Sequence, residues 1–211
     1  MHKKDEDNFS IGLFSYQGST GVTHMALALA AYFSSKKGRR VWFIEVGNQH
    51  TIETLAGQIK VRRIGEEGEF LADRVTFFPN VTIERAMELL HLARGIVIVD
   101  IGVWDKEKGP LLGMCSRRWL LGDFSLWKQE AIVQMLLWKI GTKKRHWDKC
   151  MCFFGKKHTR KISSKIGEKV ECLPEIADPL LLGREGAEAI EKFLETREGK
   201  IYHKNIRGLI K

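Results

Sequence analysis

The sequence predicts an α/β fold of three layers, with helices packed on both faces of a mainly parallel central sheet. Short apolar runs alternate with longer segments of helical periodicity along most of the 211 residues. The run Ile96-Val-Ile-Val-Asp100 is apolar at every position before its aspartate, as a central parallel strand covered on both faces requires. A turn containing Gly18 and Gly21 joins the first apolar run to an Ala- and Leu-rich helix. In that setting backbone N–H groups and a helix N-terminus point at one place, which suits a phosphate.

The elements follow in order. Ser10 to Ser15 reads as the first strand, and Thr23 to Lys37 as a helix stopped by Gly38. Val41 to Val46 is the second strand; Thr51 is placed to cap a short helix to about Ile59, and the Glu- and Gly-rich stretch Arg62 to Glu69 reads as an exposed loop. Val75 to Phe78 is a strand, Thr82 caps a helix to Arg94, and Gly95 stops it ahead of the Ile96 strand. Arg118 to Leu121 gives a strand, and Ser125 is placed to cap the helix Leu126 to Ile140. Cys150 to Phe154 and Val170 to Leu173 are the remaining strands, and Glu185 to Arg197 is the last long helix. Residues 1–199 form a single domain in this reading, with 200–211 a basic amphipathic tail.

Charge divides the chain unevenly. Residues 1–105 hold 12 Lys/Arg and 13 Asp/Glu, while residues 106–211 hold 23 and 13. The segment Lys139 to Lys169 has 11 basic residues against Asp148 and Glu168, a surplus of +9 equal to the net charge of the whole chain. An anionic partner is therefore sought there first: DNA, an anionic membrane surface or an acidic protein, with a merely solvated basic face as the plain alternative.

The four cysteines, Cys115, Cys150, Cys152 and Cys172, show no paired CxxC spacing. Zinc held with His146 or His158 would need a ligand spacing unlike the common structural sites, so reduced, buried thiols are expected. The first ten residues mix both charges ahead of a short apolar run, unlike a signal peptide, and no stretch approaches the ~18 apolar residues of a membrane span. The expectation is a soluble cytoplasmic protein, with peripheral contact at the inner face of the membrane as an option.

The glycine turn carries a resemblance. Gln17-Gly18-Ser19-Thr20-Gly21-Val22-Thr23-His24 resembles the KGGxGK[ST] loop of the ParA/MinD family of P-loop ATPases, matching at Gly18, Gly21 and Thr23. Gln17 stands where the family has its signature lysine, and Val22 where it has the phosphate-binding lysine. VWFIEVGNQHT is similar to the second strand and D-x-D-P-Q segment, with Glu45 and Gly47 replacing the aspartates; Gly47 takes the place of the residue that orients the attacking water. IVIVDIG resembles the Walker B strand and keeps Asp100. LPEIADP resembles the loop beside adenine and keeps Pro174, Asp178 and Pro179, whereas Phe154 and Gly155 fall where an asparagine is usual. The resemblance runs from about Phe9 to Leu194, and CpaE/TadZ-like members, which place pilus and secretion machinery, share the loss of the second lysine.

The resemblance implies a P-loop NTPase-like fold and a site for ATP or ADP with Mg²⁺. Gly18, Ser19, Thr20, Gly21, Val22, Thr23, His24, Pro174 and Asp178 would contact the nucleotide, and Thr23 with Asp100 would hold the metal. No catalytic residue is carried over. Phosphoryl transfer depends on positioning and on charge neutralisation at the β and γ phosphates, and both loop lysines and the water-orienting aspartate are replaced. The resemblance therefore implies a non-hydrolysing or weakly nucleotide-binding positioning or scaffold protein with a protein partner. Two alternatives stay open: a slow ATPase switch whose cation comes from a partner, and a basic nucleic-acid-binding module whose glycine turn only connects strand to helix. The family's nucleotide-sandwich dimer uses the signature lysine across its interface, so Gln17 counts against that homodimer and leaves others open.

Two further features attract attention. Trp127 and Trp138 are three helical turns apart, so one helix face can carry both, in the core or against a partner. Tyr202, Ile206, Leu209 and Ile210 oppose Lys200, Lys204, Arg207 and Lys211, a short amphipathic pattern that either packs on its own domain or touches membrane.

Overall fold

A computed structural model of the chain describes residues 9–125, 128–141, 146–153 and 155–194. Among them a nine-stranded sheet is built from β1 (Phe9–Ser15), β2 (Val41–Val46), β3 (Arg62–Arg63), β4 (Phe70–Ala72), β5 (Val75–Val81), β6 (Ile96–Val103), β7 (Arg117–Leu121), β8 (Lys149–Cys152) and β9 (Val170–Cys172). Their spatial order is β3-β4-β5-β2-β6-β1-β7-β8-β9. Every pairing from β5 to β9 is parallel, and only the β3 and β4 edge is antiparallel. The predicted three-layer α/β fold is the one observed.

Strand alternation divides the core into two layers. On one face Ile96 and Ile98 of β6 join Phe9, Ile11 and Leu13 of β1 beneath α1 (Val22–Ala31), α2 (Thr51–Ala56) and α7 (Arg184–Leu194). On the other, Val97, Val99 and Ile101 meet α3 (Ile83–Leu92), α4 (Gly109–Met114), α5 (Gln129–Gly141) and α6 (Lys156–Ile166). Cys150 and Cys152 both enter this second layer, as their spacing predicts; all four cysteines are free thiols. Burial pushes the Cys115 thiol up to about 12, so it is an inert, protonated packing group.

Four local expectations are corrected. Arg62 to Glu69 is not simply a loop: Arg62 and Arg63 pair with Leu71 and Phe70, and Ile64 N–H donates to Glu69 O at 2.9 Å across a turn with Gly65 and Gly68 at positive φ. Thr51 does not cap α2. The preceding His50 is left-handed (φ 54°), and the buried Glu45 carboxylate of β2 accepts from Thr51 N–H and Ile52 N–H at 3.2 Å each, so the cap comes from a neighbouring strand. Ser125 holds α5 through its carbonyl, which accepts from Gln129 N–H at 2.8 Å, and not through its hydroxyl. The first helix gives way at Tyr32 to a π-helical turn through Lys36. Thr82, by contrast, caps α3 as predicted, its side chain accepting from Arg85 N–H at 3.2 Å.

Trp127, Phe154, Lys143 to Arg145 and the tail 200–211 lie outside the described residues. Among the described residues, no helix is long and apolar enough to cross a membrane.

Candidate functional site at the glycine turn

The carboxyl ends of β1, β2 and β6 meet at a cavity of about 500 Å³, lined by residues 17–24 of the glycine turn and α1, by Val46 to Gln49, and by Gly102, Val103 and Lys108. This is where an open parallel sheet places its ligands. The turn is shaped by its own backbone. Ser15 Oγ accepts from Gln17 N–H at 3.0 Å, and Ser19 (φ 57°) and Gly21 (φ 82°) are left-handed, a combination that turns N–H groups toward one point. A Cβ on Gly21 would overlap the half-exposed Phe153 ring, so a side chain there must displace that ring as well as adopt a left-handed dihedral angle.

At α1 the N-cap is Gly21, no side chain caps the first turn, and no acidic residue sits in it. The positive end of the helix dipole therefore meets the cavity unneutralised. Thr20 Oγ1 and Gln17 Oε1 are buried with no hydrogen-bond partner among the described residues. Gly18 has open space where a Cβ would stand, which leaves its backbone approachable. Val22 turns its side chain into the apolar layer below and is 7 % exposed. The position at which the resemblance has a lysine thus holds an apolar group stabilised by the core.

Thr23 and Asp100 come together as predicted. Thr23 Oγ1 donates to Asp100 Oδ2 at 2.5 Å, and Gly102 N–H donates to Asp100 Oδ1 at 3.1 Å. Burial raises the Asp100 pKa to about 6, against the opposing pull of these donors, of the Gln49 amide and of the Lys108 charge. Glu45 pairs in register with Asp100 across β2 and β6 and is also fully buried. Desolvation raises its pKa too; its backbone hydrogen bonds to Ile52, Asn80 and Thr51 pull the other way, and Asp100 adds to the rise.

His24 lines the cavity but commits its ring elsewhere. Its Nε2 donates to Ile176 O at 2.8 Å, and its ring lies edge-on to Phe153 at 6.1 Å between centroids. It forms part of a second cavity of about 460 Å³, which shares Ser19, Thr20, Gly21 and His24 with the first and is closed by Gly122, Asp123, Phe153, Glu175 and Ile176. Pro174 and Asp178 flank Glu175 and Ile176 and line neither cavity; Asp178 Oδ1 accepts from Leu180 N–H at 2.9 Å and Leu181 N–H at 3.2 Å within its own loop. Among the described residues, no group of three or more His, Cys, Asp or Glu gathers elsewhere to hold a metal.

Three residues that shape the site carry weaker sequence signals than the motif positions. Gln49 is the last residue of the Glu45-Val-Gly-Asn-Gln49 match to D-x-D-P-Q. Lys108 has no motif signal, since it reaches the cavity only because the chain turns back after β6. Phe153 was visible as a strand residue, but nothing local points its ring at Gly21.

No protein-family profile and no curated protein matches the chain. Solved structures do. MinD from Aquifex aeolicus superposes with a TM-score of 0.57 at 12% identity over 88% of this chain and 97% of that one. A ParA family ATPase from Chlorobium tepidum TLS gives 0.57 at 16%, covering 92% and 96%. The septum site-determining protein MinD of Pyrococcus horikoshii OT3, complexed with Mg-ADP, gives 0.53 at 14%, covering 97% of each chain.

The fold is that of the MinD and ParA ATPases. Within this MinD/ParA fold the residues present suit a magnesium nucleotide. The Thr23 hydroxyl and Asp100 carboxylate are hard oxygen donors of the kind Mg²⁺ selects, and the uncapped α1 terminus with the unpartnered Thr20 hydroxyl suits phosphate. Positions 17, 22 and 47, where the motif resemblance has charged residues, are Gln17, Val22 and Gly47 and carry no charge.

Proposed function

We propose that this chain binds an adenine nucleotide with Mg²⁺ at the glycine turn, hydrolyses it negligibly, and works as a nucleotide-responsive positioning or scaffold protein. The Thr23 to Asp100 hydrogen bond beneath an uncapped helix, with neutral residues at 17, 22 and 47, carries this reading. The N–H groups of the turn and of α1 hold phosphate oxygens, and Thr23 and Asp100 hold the metal's side of the site. Magnesium, when bound, neutralises phosphate charge there. Nothing at position 47 orients a water, so bound nucleotide is retained rather than consumed. His24 ties α1 to the Ile176 loop, so occupancy of the turn is felt at the second cavity.

A protein partner or a homodimer fits a scaffold role, and a solved complex joins MinD of Aquifex aeolicus to MinC. Pilus or secretion machinery is the kind of cargo this reading favours. Calorimetric titration with Mg-ADP and Mg-ATP tests it, together with steady-state phosphate release. Micromolar to millimolar binding without turnover is expected; binding with ordinary ATPase turnover abolished by Asp100→Ala defeats the non-hydrolysing part, and no heat at millimolar nucleotide defeats the whole.

A second reading rests on α6. Lys157, Arg160, Lys161 and Lys165 occupy one exposed face at helical spacing, with Lys165 3.5 Å from Glu130. Such a stripe can follow the phosphates of DNA, and duplex affinity that falls steeply with salt would support it.

A further inference from the structure

We infer that Lys108 supplies, from the same chain, the cationic contact to the nucleotide's phosphate groups that Gln17 and Val22 do not provide. The inference rests on phosphate binding at the glycine turn and names the residue that completes it.

Lys108 is held in place by its backbone. Asp105 Oδ1 accepts from Lys108 N–H at 3.0 Å, Gly109 N–H donates to Lys106 O at 3.2 Å, and Pro110 opens the first turn of α4. This turn carries the chain back from the end of β6 and puts the lysine at the head of α4, beside the cavity. The side chain is only 17 % exposed, and Nζ sits 3.1 Å from Ile101 O and 2.7 Å from Val103 O.

These two partners are neutral carbonyls, so they orient the ammonium without cancelling its charge. Lys108 also forms a long ion pair with Asp105 Oδ2 at 3.8 Å, on a side chain 54 % exposed, which screens part of its charge without using a hydrogen-bond donor. An ammonium has three donors, and the carbonyls engage two of them. The third is available to an anion.

Among the described residues lining the cavity, Lys108 is the single Lys or Arg. Its neighbours there are Gly102 and Val103, which add no charge, and its field reaches the buried Asp100 carboxyl, on which it acts to lower the pKa. A cation held by carbonyls in the wall of the cavity that the uncapped N-terminus of α1 also lines gives a phosphate two sources of positive charge although the turn itself has no lysine. A cation supplied by a partner is then unnecessary for binding.

The test is calorimetry of the full chain with three probes, Mg-ADP, pyrophosphate with Mg²⁺, and adenosine, on wild type, Lys108→Met, Lys108→Arg and Thr23→Val. Lys108→Met is expected to weaken Mg-ADP and pyrophosphate by about ten-fold or more, to leave adenosine unchanged and to flatten the salt dependence, while Lys108→Arg stays within about three-fold. If Lys108→Met binds Mg-ADP as wild type does while Thr23→Val is weakened, the inference fails and phosphate binding at the turn stands. If wild type takes up neither Mg-ADP nor pyrophosphate, that reading fails and takes the inference with it. A measurement on the wild-type chain covers the case in which Lys108→Met does not fold. Amine acetylation followed by mass spectrometry is expected to show Mg-ADP protecting Lys108 and not Lys157 or Lys161; equal labelling of Lys108 with and without Mg-ADP overturns the inference.

Discussion

The glycine-turn cavity and the outer face of α6 both present positive character to solvent, and they do so by opposite means. At the turn the character comes from backbone: left-handed Ser19 and Gly21, an uncapped helix and one lysine held by carbonyls, over a half-buried Thr23 and a buried Asp100. On α6 it comes from Lys157, Arg160, Lys161 and Lys165, which are exposed. A backbone site depends on dihedral angles and close packing, so single atoms there carry large energies. A side-chain stripe is solvated and screened, so its members are individually dispensable to the fold. The excess charge of the sequence therefore marks the more solvated of the two surfaces.

The widest gap between the two regions should appear when a methyl group is added to a glycine in each. Gly21→Ala meets both a left-handed φ of 82° and the Phe153 ring. Together these are expected to cost roughly 2–4 kcal/mol in urea unfolding. Gly155→Ala at the start of α6 (φ −61°, open space around its Cβ) should stay within about 1 kcal/mol. Gly21→Ala with Phe153→Ala should recover the steric part and leave the backbone part. Equal costs at the two glycines would erase the distinction.

Protonation separates the regions next. The Asp100 pKa is raised from 3.8 to about 6 by burial, so between those values the folded chain holds a proton that the unfolded chain has released. Stability should fall as pH rises through that window and stay low above it. In metal-free buffer, Asp100→Asn should therefore stabilise the chain by about 1–2 kcal/mol at pH 8, some of the gain being lost because an amide nitrogen replaces Oδ2, the acceptor for the Thr23 hydroxyl, and the gain should vanish near pH 4. Chemical unfolding at both pH values measures it. A stabilisation independent of pH would assign the effect to packing instead.

Sequence pattern makes the layers of this fold legible because strand and helix periods are local properties. Ile96 to Asp100, Thr82 as a cap and the turn from Gly18 to Thr23 all stand where local chemistry puts them. Contacts that leave no periodic signature decide what the pattern leaves out. The α2 cap arrives from the Glu45 side chain, six and seven residues back on β2, β3 pairs with β4 across a turn of glycines, and Lys108 enters the cavity only after the chain reverses beyond β6. His24 illustrates the same limit: its position beside Thr23 suggests an anion contact, yet the Ile176 carbonyl 152 residues away takes its ring nitrogen.

The smallest effect expected is on α6, and it is the one that isolates the turn. Replacing Lys157, Arg160 and Lys161 together by glutamine removes three exposed charges while α6 keeps Thr159, Ile162 and Ile166 in the core. The helix ends at a left-handed Gly167, whose N–H donates to Ser163 O at 2.9 Å, and neither contact involves the substituted residues. Stability should therefore change by no more than about 0.5 kcal/mol, with the Mg-ADP affinity of the turn unaltered in the same calorimeter. Any salt-dependent affinity for duplex DNA or anionic vesicles should disappear in this variant and persist in Lys108→Met, because a screened stripe and a carbonyl-held cation act on different partners. If the triple variant weakens Mg-ADP as strongly as Lys108→Met does, the two positive regions serve one ligand, and the division between them fails.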